Sequence, residues 1–301
     1  MSSEGHRQAI ALCEQAIEID PTYAAAYAAL SVFYNSLALL GHAAAAAVYP
    51  RARAAAKKAL ELDETLAEAH ASLALVLLLQ NWDFSGAERE LRRSLELNPD
   101  FYGEYAVLGA LNRIRGRFDD AIVAFKRALD LEPLSLGLDT NLGLTYHCAG
   151  RFDSAIEQFR KILEVDSDNA PVRALLADAY ACAGQREKAI EECEQALALG
   201  RSATIIRLRV AAAYAKIGRT EEARKILKKA ESAWKPGNPA SQFIGAVHAR
   251  LGEKDAAFEW LENAFQQHEG YLVNFKFHPL FDGLRGDPRF DALVKRIGIP
   301  D

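Results

Sequence analysis

The side chains best able to do chemistry are seven histidines (6, 42, 70, 147, 248, 268 and 278) and four cysteines (13, 148, 182 and 193). The adjacent pair His147-Cys148 suggests nucleophilic catalysis, in which an imidazole takes the proton of a thiol. Neighbouring residues on a helix point about 100° apart, however, so the two are read as independent. The chain holds no HExxH, no GxxxxGK[ST] loop, no GxGxxG and no Ser-His-Asp grouping in a recognisable motif. It has no CxxC and no cysteine paired with histidine at zinc spacing. No catalytic residue, metal site or cofactor is therefore assigned, and the chain is read as non-enzymatic.

What remains is a set of charged and polar residues suited to holding a partner: Arg113, Asn141, His147, Arg173, Asp178, Arg207 and Arg209. Among small and apolar neighbours (Ala106, Ala110, Leu144, Ala212, Ala246) they point to a groove for an apolar or weakly acidic peptide or helix. A basic stripe, Arg224-Lys225 with Lys228-Lys229, is flanked by Glu221, Glu222 and Glu231 and is read as an ion-paired surface. The net charge of −5 argues against nucleic acid as partner. No apolar run approaches the roughly 18 residues of a membrane span. The first residues, Met-Ser-Ser-Glu-Gly, lack a basic and then apolar leader. A cytoplasmic location is expected, with a periplasmic placement inside a larger membrane protein as the alternative.

The elements that must position these residues repeat. Gly116-Arg117-Phe118-Asp119-Asp120-Ala121-Ile122 returns at Gly150-Arg151-Phe152-Asp153-Ser154-Ala155-Ile156, and more loosely from Gly184, Gly218 and Gly252, always at a step of 34. That period belongs to stacked helix–turn–helix repeats. The glycine supplies a helix C-cap, and Asp119, Asp153 or Glu187 suits the start of the next helix. Gly109 and Gly143 are expected to face Ala121 and Ala155, where a larger side chain would overpack. Cys148 and Cys182 stand one repeat apart, and neighbouring helices lie roughly 8–10 Å apart, beyond disulfide reach. They are read as reduced, small apolar residues.

Three stretches break step. Residues 6–21 read as a second helix without its first, either a capping half-repeat or the edge of a chain cut from a longer protein. Nine extra residues fall in the first full repeat, from Gly41-His42-Ala43 to Tyr49-Pro50, and are expected to lengthen a loop, with a contact element at one edge as the alternative and Pro50 in the first turn of the next helix. The turn at Gln80–Gly86 is one residue longer than the norm. After Gly270 the chain becomes aromatic (Tyr271, Phe275, Phe277, Phe281, Phe290), and Asp287-Pro288 opens a short final helix. That tail is expected to cover the last repeat.

These residues resemble the tetratricopeptide-repeat family across positions 6–271. The resemblance implies an all-α, right-handed solenoid: a leading half-repeat at 1–23, seven repeats at 24–271 and a C-terminal cap at 272–301. One subgroup grips peptide carboxylates with lysine, asparagine and arginine at set places. Here only Asn141 matches that pattern, while Ala106, Ala110, Pro171 and Leu175 fill the other places, so carboxylate clamping in that manner is rejected. The tail Phe277-His278-Pro279-Leu280-Phe281 onward, with Trp82-Asp83-Phe84, is similar to repeat regions attached to bacterial kinases, cyclases or winged-helix domains. The implied function is a protein- or peptide-binding scaffold, the sensor part of a bacterial signalling protein. The alternatives are a self-associating module, dimerising through the leading half-repeat, or the substrate-groove lobe of a larger enzyme.

Overall fold

The computed structural model describes residues 3–39, 43, 45–200, 203–237 and 239–300. Every regular element among them is helical. Helix α1 (Ser3–Ile19) precedes seven consecutive pairs. These are α2 (Ala24–Leu39) and α3 (Ala45–Leu62), α4 (Ala67–Leu79) and α5 (Phe84–Leu97), α6 (Tyr102–Ile114) and α7 (Phe118–Leu131), and α8 (Leu136–Cys148) and α9 (Phe152–Val165). There follow α10 (Ala170–Cys182) and α11 (Arg186–Leu199), α12 (Thr204–Lys216) and α13 (Thr220–Ala233), and α14 (Ser241–Leu251) and α15 (Lys254–Gln266). Two 3₁₀ turns (Gly270–Asn274 and Pro279–Leu284) and α16 (Pro288–Ile297) end the chain. The arrangement is an α-solenoid.

The turn inside each regular pair has one physical cause. Gly116, Gly150, Gly184, Gly218 and Gly252 all sit in the left-handed region, with φ between 72° and 80°. This backbone lets the next amide reach back over the helix end. Arg151 N–H donates to the Tyr146 carbonyl and Gly150 N–H to that of His147, and the other four turns repeat both bonds. Two otherwise orphaned carbonyls are satisfied each time. The longer turn of the second pair solves the problem differently. Trp82, with φ of 53°, takes the left-handed position, and Asp83 caps α5 by accepting from Gly86 N–H at 2.8 Å.

The helices fall into two compact units. One holds the residues up to Leu111 with Arg127–Pro133 and Pro300. Its core joins Ile10 of α1, Leu30, Tyr34 and Leu37 of α2, Val48 and Tyr49 of α3 and Val76 of α4. Of the nine extra residues of the first pair, seven lengthen its helices rather than a loop: α2 has 16 residues and α3 has 18, where α4 has 13 and α5 has 14. The added length buries Val48 and Tyr49, and Pro50 consequently lies at the sixth position of α3 rather than in its first turn. Gly41 and His42 lie outside the described residues, as do Met1 and Ser2.

The second unit holds Asn112–Lys126 and Leu134–Ile299. Here α8 packs on α9, α10 on α11 and α12, and α14 on α12 and α15. Gly143 makes a close approach to α9. A Cβ there would stand 2.5 Å from the ring of buried Phe159. The N-terminus of α14 has no local side-chain cap; Glu269 accepts from Ser241 and Gln242 N–H, both at 3.0 Å. A carboxylate at that end of a helix meets both the free amides and the positive dipole end. Beyond it, Phe275 is fully buried against Phe281 and Phe290, and Asp287 caps α16 by accepting from Arg289 N–H.

Candidate functional site

The repeat step decides which polar residues meet. Arg113 and His147 are one step of 34 apart, as are Cys148 and Cys182; Arg250 lies two further steps on, and Asn141 and Arg209 differ by two steps. Equal register places residues on the same face of successive first helices. In the second unit that face carries a buried polar cluster.

Asp178 of α10 is its centre. Its carboxylate lies 3.3 Å from His147 Nε2 and 3.3 Å from Arg250 Nη2, and all three side chains are at most 7% exposed. These contacts are ionic rather than well-aligned hydrogen bonds: both His147 ring nitrogens and Asp178 Oδ1 lack an aligned partner. Arg250 Nη2 also donates to Cys182 Sγ at 3.6 Å. Burial alone would raise the Asp178 carboxyl. The Arg250 guanidinium, and after it His147, override burial and hold the group well below the carboxylate range. Burial likewise opposes charge on His147, but Asp178 and the thiols of Cys148 and Cys182 raise its pKa well above the usual value. Cys193, by contrast, is a buried small apolar residue whose thiol burial pushes up.

The tail closes over this cluster. The His278 ring lies 5.6 Å from that of His147. Burial, then the positive neighbours His147 and Arg209, lower the His278 pKa far below the ordinary range, so it is neutral. Its Nδ1 accepts from Leu280 N–H at 3.3 Å, which puts the ring proton on Nε2. One residue earlier, Phe277 reaches the first turn of α7, 5.7 Å from the Phe118 ring, and lies over Gly116. The tail therefore does more than cover the last pair. It packs on α14 and on residues of the third and fourth pairs.

Two chemical readings of the cluster can be weighed. His147, Asp178 and Cys182 offer nitrogen, oxygen and sulfur donors within 4.8 Å of one another, a set suited to a borderline ion such as zinc. Arg250 already donates to Cys182 and pairs with Asp178, so a protein cation fills that role. Cys148 or Cys182 with His147 and Asp178 also has the parts of a thiol–imidazole–carboxylate relay. A relay needs a neutral imidazole to accept the thiol proton. His147 is held protonated and is 2% exposed, so the arrangement acts as an ion-pair network.

The other sequence-predicted site residues divide by position. Arg113 is 8% exposed, and its Nη1 donates to Asn141 Oδ1 at 3.0 Å and to the Asn141 carbonyl at 3.3 Å. Arg173 is committed to Glu192 at 2.7 Å and to the Ser167 carbonyl, so its donors are spent within the fold. Arg207 and Arg209 are part-buried on α12, and neither forms an ion pair among the described residues. Arg209 stands 4.8 Å over the Phe243 ring. The basic stripe on α13 is paired otherwise than expected: Arg224 joins Glu253, while Glu222 joins Arg219 and Glu231 joins His248. No helix among the described residues is long and apolar enough to cross a membrane.

Comparison with known proteins gives the following. Tetratricopeptide-repeat family models match residues 113–179, 146–201 and 174–239. No curated protein matches the chain. Among solved structures, the chain is similar to a chain of the APC/C hetero-tetramer Cut9–Hcn1, with a TM-score of 0.63, 16% identity, and 96% of this chain and 52% of that chain covered. It is similar to the human IFIT1 dimer with PPP-AAAA at a TM-score of 0.59 and 20% identity, covering 88% of this chain and 69% of that one. It is also similar to PilF of Pseudomonas aeruginosa at a TM-score of 0.52 and 20% identity, covering 70% and 91%.

Proposed function

The chain belongs to the tetratricopeptide-repeat family, and on that premise we propose that it is a non-enzymatic scaffold that binds a protein, through a peptide or helix, on the inner faces of its first helices. The observation that carries this reading is the part-buried pair Arg207 and Arg209 on α12, charged residues that the fold leaves without ion-pair partners among those described. A part-buried guanidinium without a carboxylate is costly unless it serves an intermolecular contact. The APC/C hetero-tetramer Cut9–Hcn1 contains a chain whose fold this chain shares, and the same use of the fold, holding a protein partner, is proposed here. The functional organisation proposed is a leading half-repeat at 1–23, seven repeats at 24–271 and a cap at 272–301, acting as the sensor part of a larger bacterial signalling protein.

The test is capture from the host extract by the immobilised protein, read by quantitative mass spectrometry against an Arg207→Glu/Arg209→Glu variant. A protein retained by the parent and lost from the charge-reversed variant supports the reading. Identical retained sets would overturn it. A second reading, self-association through α1, is favoured by the exposure of Leu12 (65%) and Ile19 (86%) on that helix. Light scattering that stays monomeric across a hundredfold range of concentration would dismiss it.

A further inference from the structure

Helix α3 carries four basic side chains, Arg51, Arg53, Lys57 and Lys58. Two of them are paired: Arg51 Nη2 lies 3.2 Å from Glu14 and Lys58 Nζ lies 3.3 Å from Glu61. The other two, Arg53 and Lys57, have no ion-pair partner among the described residues. They stand four residues apart, one turn above the other, where like charges repel. Arg53 is part-buried, and its Nε is buried with no acceptor for its proton. These same two side chains line a cleft of about 400 Å³ between α3 and the end of α4. Pro50, Ala54 and Gln80 complete its lining. Pro50 and Ala54 are small, and Gln80, at the C-cap of α4, brings a side-chain amide. None of the five lining residues is acidic, and all belong to the first unit.

We propose that Arg53, Lys57 and Gln80 bind a phosphoryl group, as free phosphate or on a phosphorylated peptide. The division of partners on α3 points to it: the cations outside the cleft meet carboxylates of the fold, and the two that line it do not. A phosphoryl group carries close to two negative charges and three acceptor oxygens. The guanidinium fork of Arg53 matches two of those oxygens, and Lys57 supplies a second point charge. The buried Arg53 Nε–H gains the acceptor that the fold withholds, and such a bond is worth most where a donor is otherwise left unmet. A single carboxylate would neutralise only one of the two cations. The chain as a whole is acidic, at −5, so attraction of an anion is a property of this cleft and not of the general field. The site is separate from Arg207 and Arg209, which lie in the second unit.

The test is isothermal titration calorimetry of the full chain at fixed ionic strength. Its probes are inorganic phosphate, a decapeptide of glycine and alanine with one central phosphoserine, and the same peptide with serine. The phosphoserine peptide is expected to bind at least about tenfold more tightly than the serine peptide, the step one charge-assisted contact gives. Inorganic phosphate binding as tightly as the phosphopeptide identifies the free ion as the ligand; a phosphopeptide at least about tenfold tighter identifies a modified protein. Arg53→Gln and, separately, Lys57→Gln should each weaken binding by at least about tenfold. Lys57 is exposed, so its replacement leaves the packing of α3 in place. Lys58→Gln, beside the cleft, should retain binding, and so should the Arg207→Glu/Arg209→Glu variant, which separates this site from the partner-binding reading. Failure of both phosphate and phosphopeptide to bind, equal binding of the two peptides, or unchanged affinity in Lys57→Gln would overturn the site.

Discussion

At the scale of single residues, the central fact is that one carboxylate, Asp178, organises His147 and Arg250 under a neutral His278. The two histidines are pushed in opposite directions, and stability should record both. His278 has a folded pKa below its unfolded value, so between those values the unfolded chain binds the extra proton. Stability is lost as pH falls below about 6.5. His147 has a raised folded pKa, so its contribution is complete below about 6.5 and is lost as pH rises through the folded value. Stability should therefore peak near pH 6.5, with limbs approaching about 1.4 kcal/mol per pH unit for each proton. Urea unfolding from pH 5 to 8.5 measures this. His278→Asn, which keeps an acceptor for Leu280 N–H, should flatten the acid limb alone. A flat profile in the parent protein would show that neither ring is shifted. In the sequence, His147, Asp178, Arg113 and Arg209 were all visible as polar interruptions of an apolar face. Arg250 was not singled out, Cys182 was read as a small apolar residue, and His278 and Tyr271 were read only as members of the histidine set and the covering tail. Register offered the signal for two of them, since Arg250 and Cys182 occupy the place of Cys148 in their own repeats. His278 and Tyr271 lie in the tail, which has no register, and only three-dimensional packing brings them in.

At the scale of the element, the helix pair is set by a left-handed glycine and by what lies over it. The five glycines share one backbone conformation yet differ in surroundings. A Cβ on Gly150 would meet nothing within 4 Å, whereas one on Gly116 would stand 2.6 Å from the Phe277 ring. Gly150→Ala should cost about 1–2 kcal/mol, the penalty of the left-handed backbone. Gly116→Ala should cost that plus about 1–3 kcal/mol of overpacking, with the excess removed in a Phe277→Ala background. Thermal or urea unfolding of the four proteins checks this, and equal costs at both glycines would mean the tail does not bear on the turn. The helices and turns were legible because glycine, alanine and proline positions recur with the period. The first pair was misjudged because alanine-rich sequence serves a longer helix as readily as a loop. Burial of Val48 and Tyr49 settles it in favour of helix.

At the scale of the whole molecule, each unit carries its own core, and the tail belongs to the second. Removing residues 270–301 would uncover α14 and leave His147 and Asp178 without the cover of His278. Hydrogen exchange should then lose protection in α8, α10, α12 and α14, while α2–α5 keep theirs, because local opening follows the contacts removed. Loss of protection spread evenly through α1–α5 would contradict that division. The period foretold a stack of pairs; it was silent on the tail's reach, since nothing in the spacing of Phe277 and His278 points to partners at 118 and 147.

The contact between Phe277 and Phe118 also bears on time. Pairs of neighbouring helices close short loops, and such local contacts form quickly, N-terminal ones first during synthesis. The tail's contacts span a far longer stretch of chain and wait until residue 277 has emerged from the ribosome. Until then the desolvated charges of the second unit are open to water. The packing of the second unit is thus a late product of folding, set only when the tail aromatics return to the third pair.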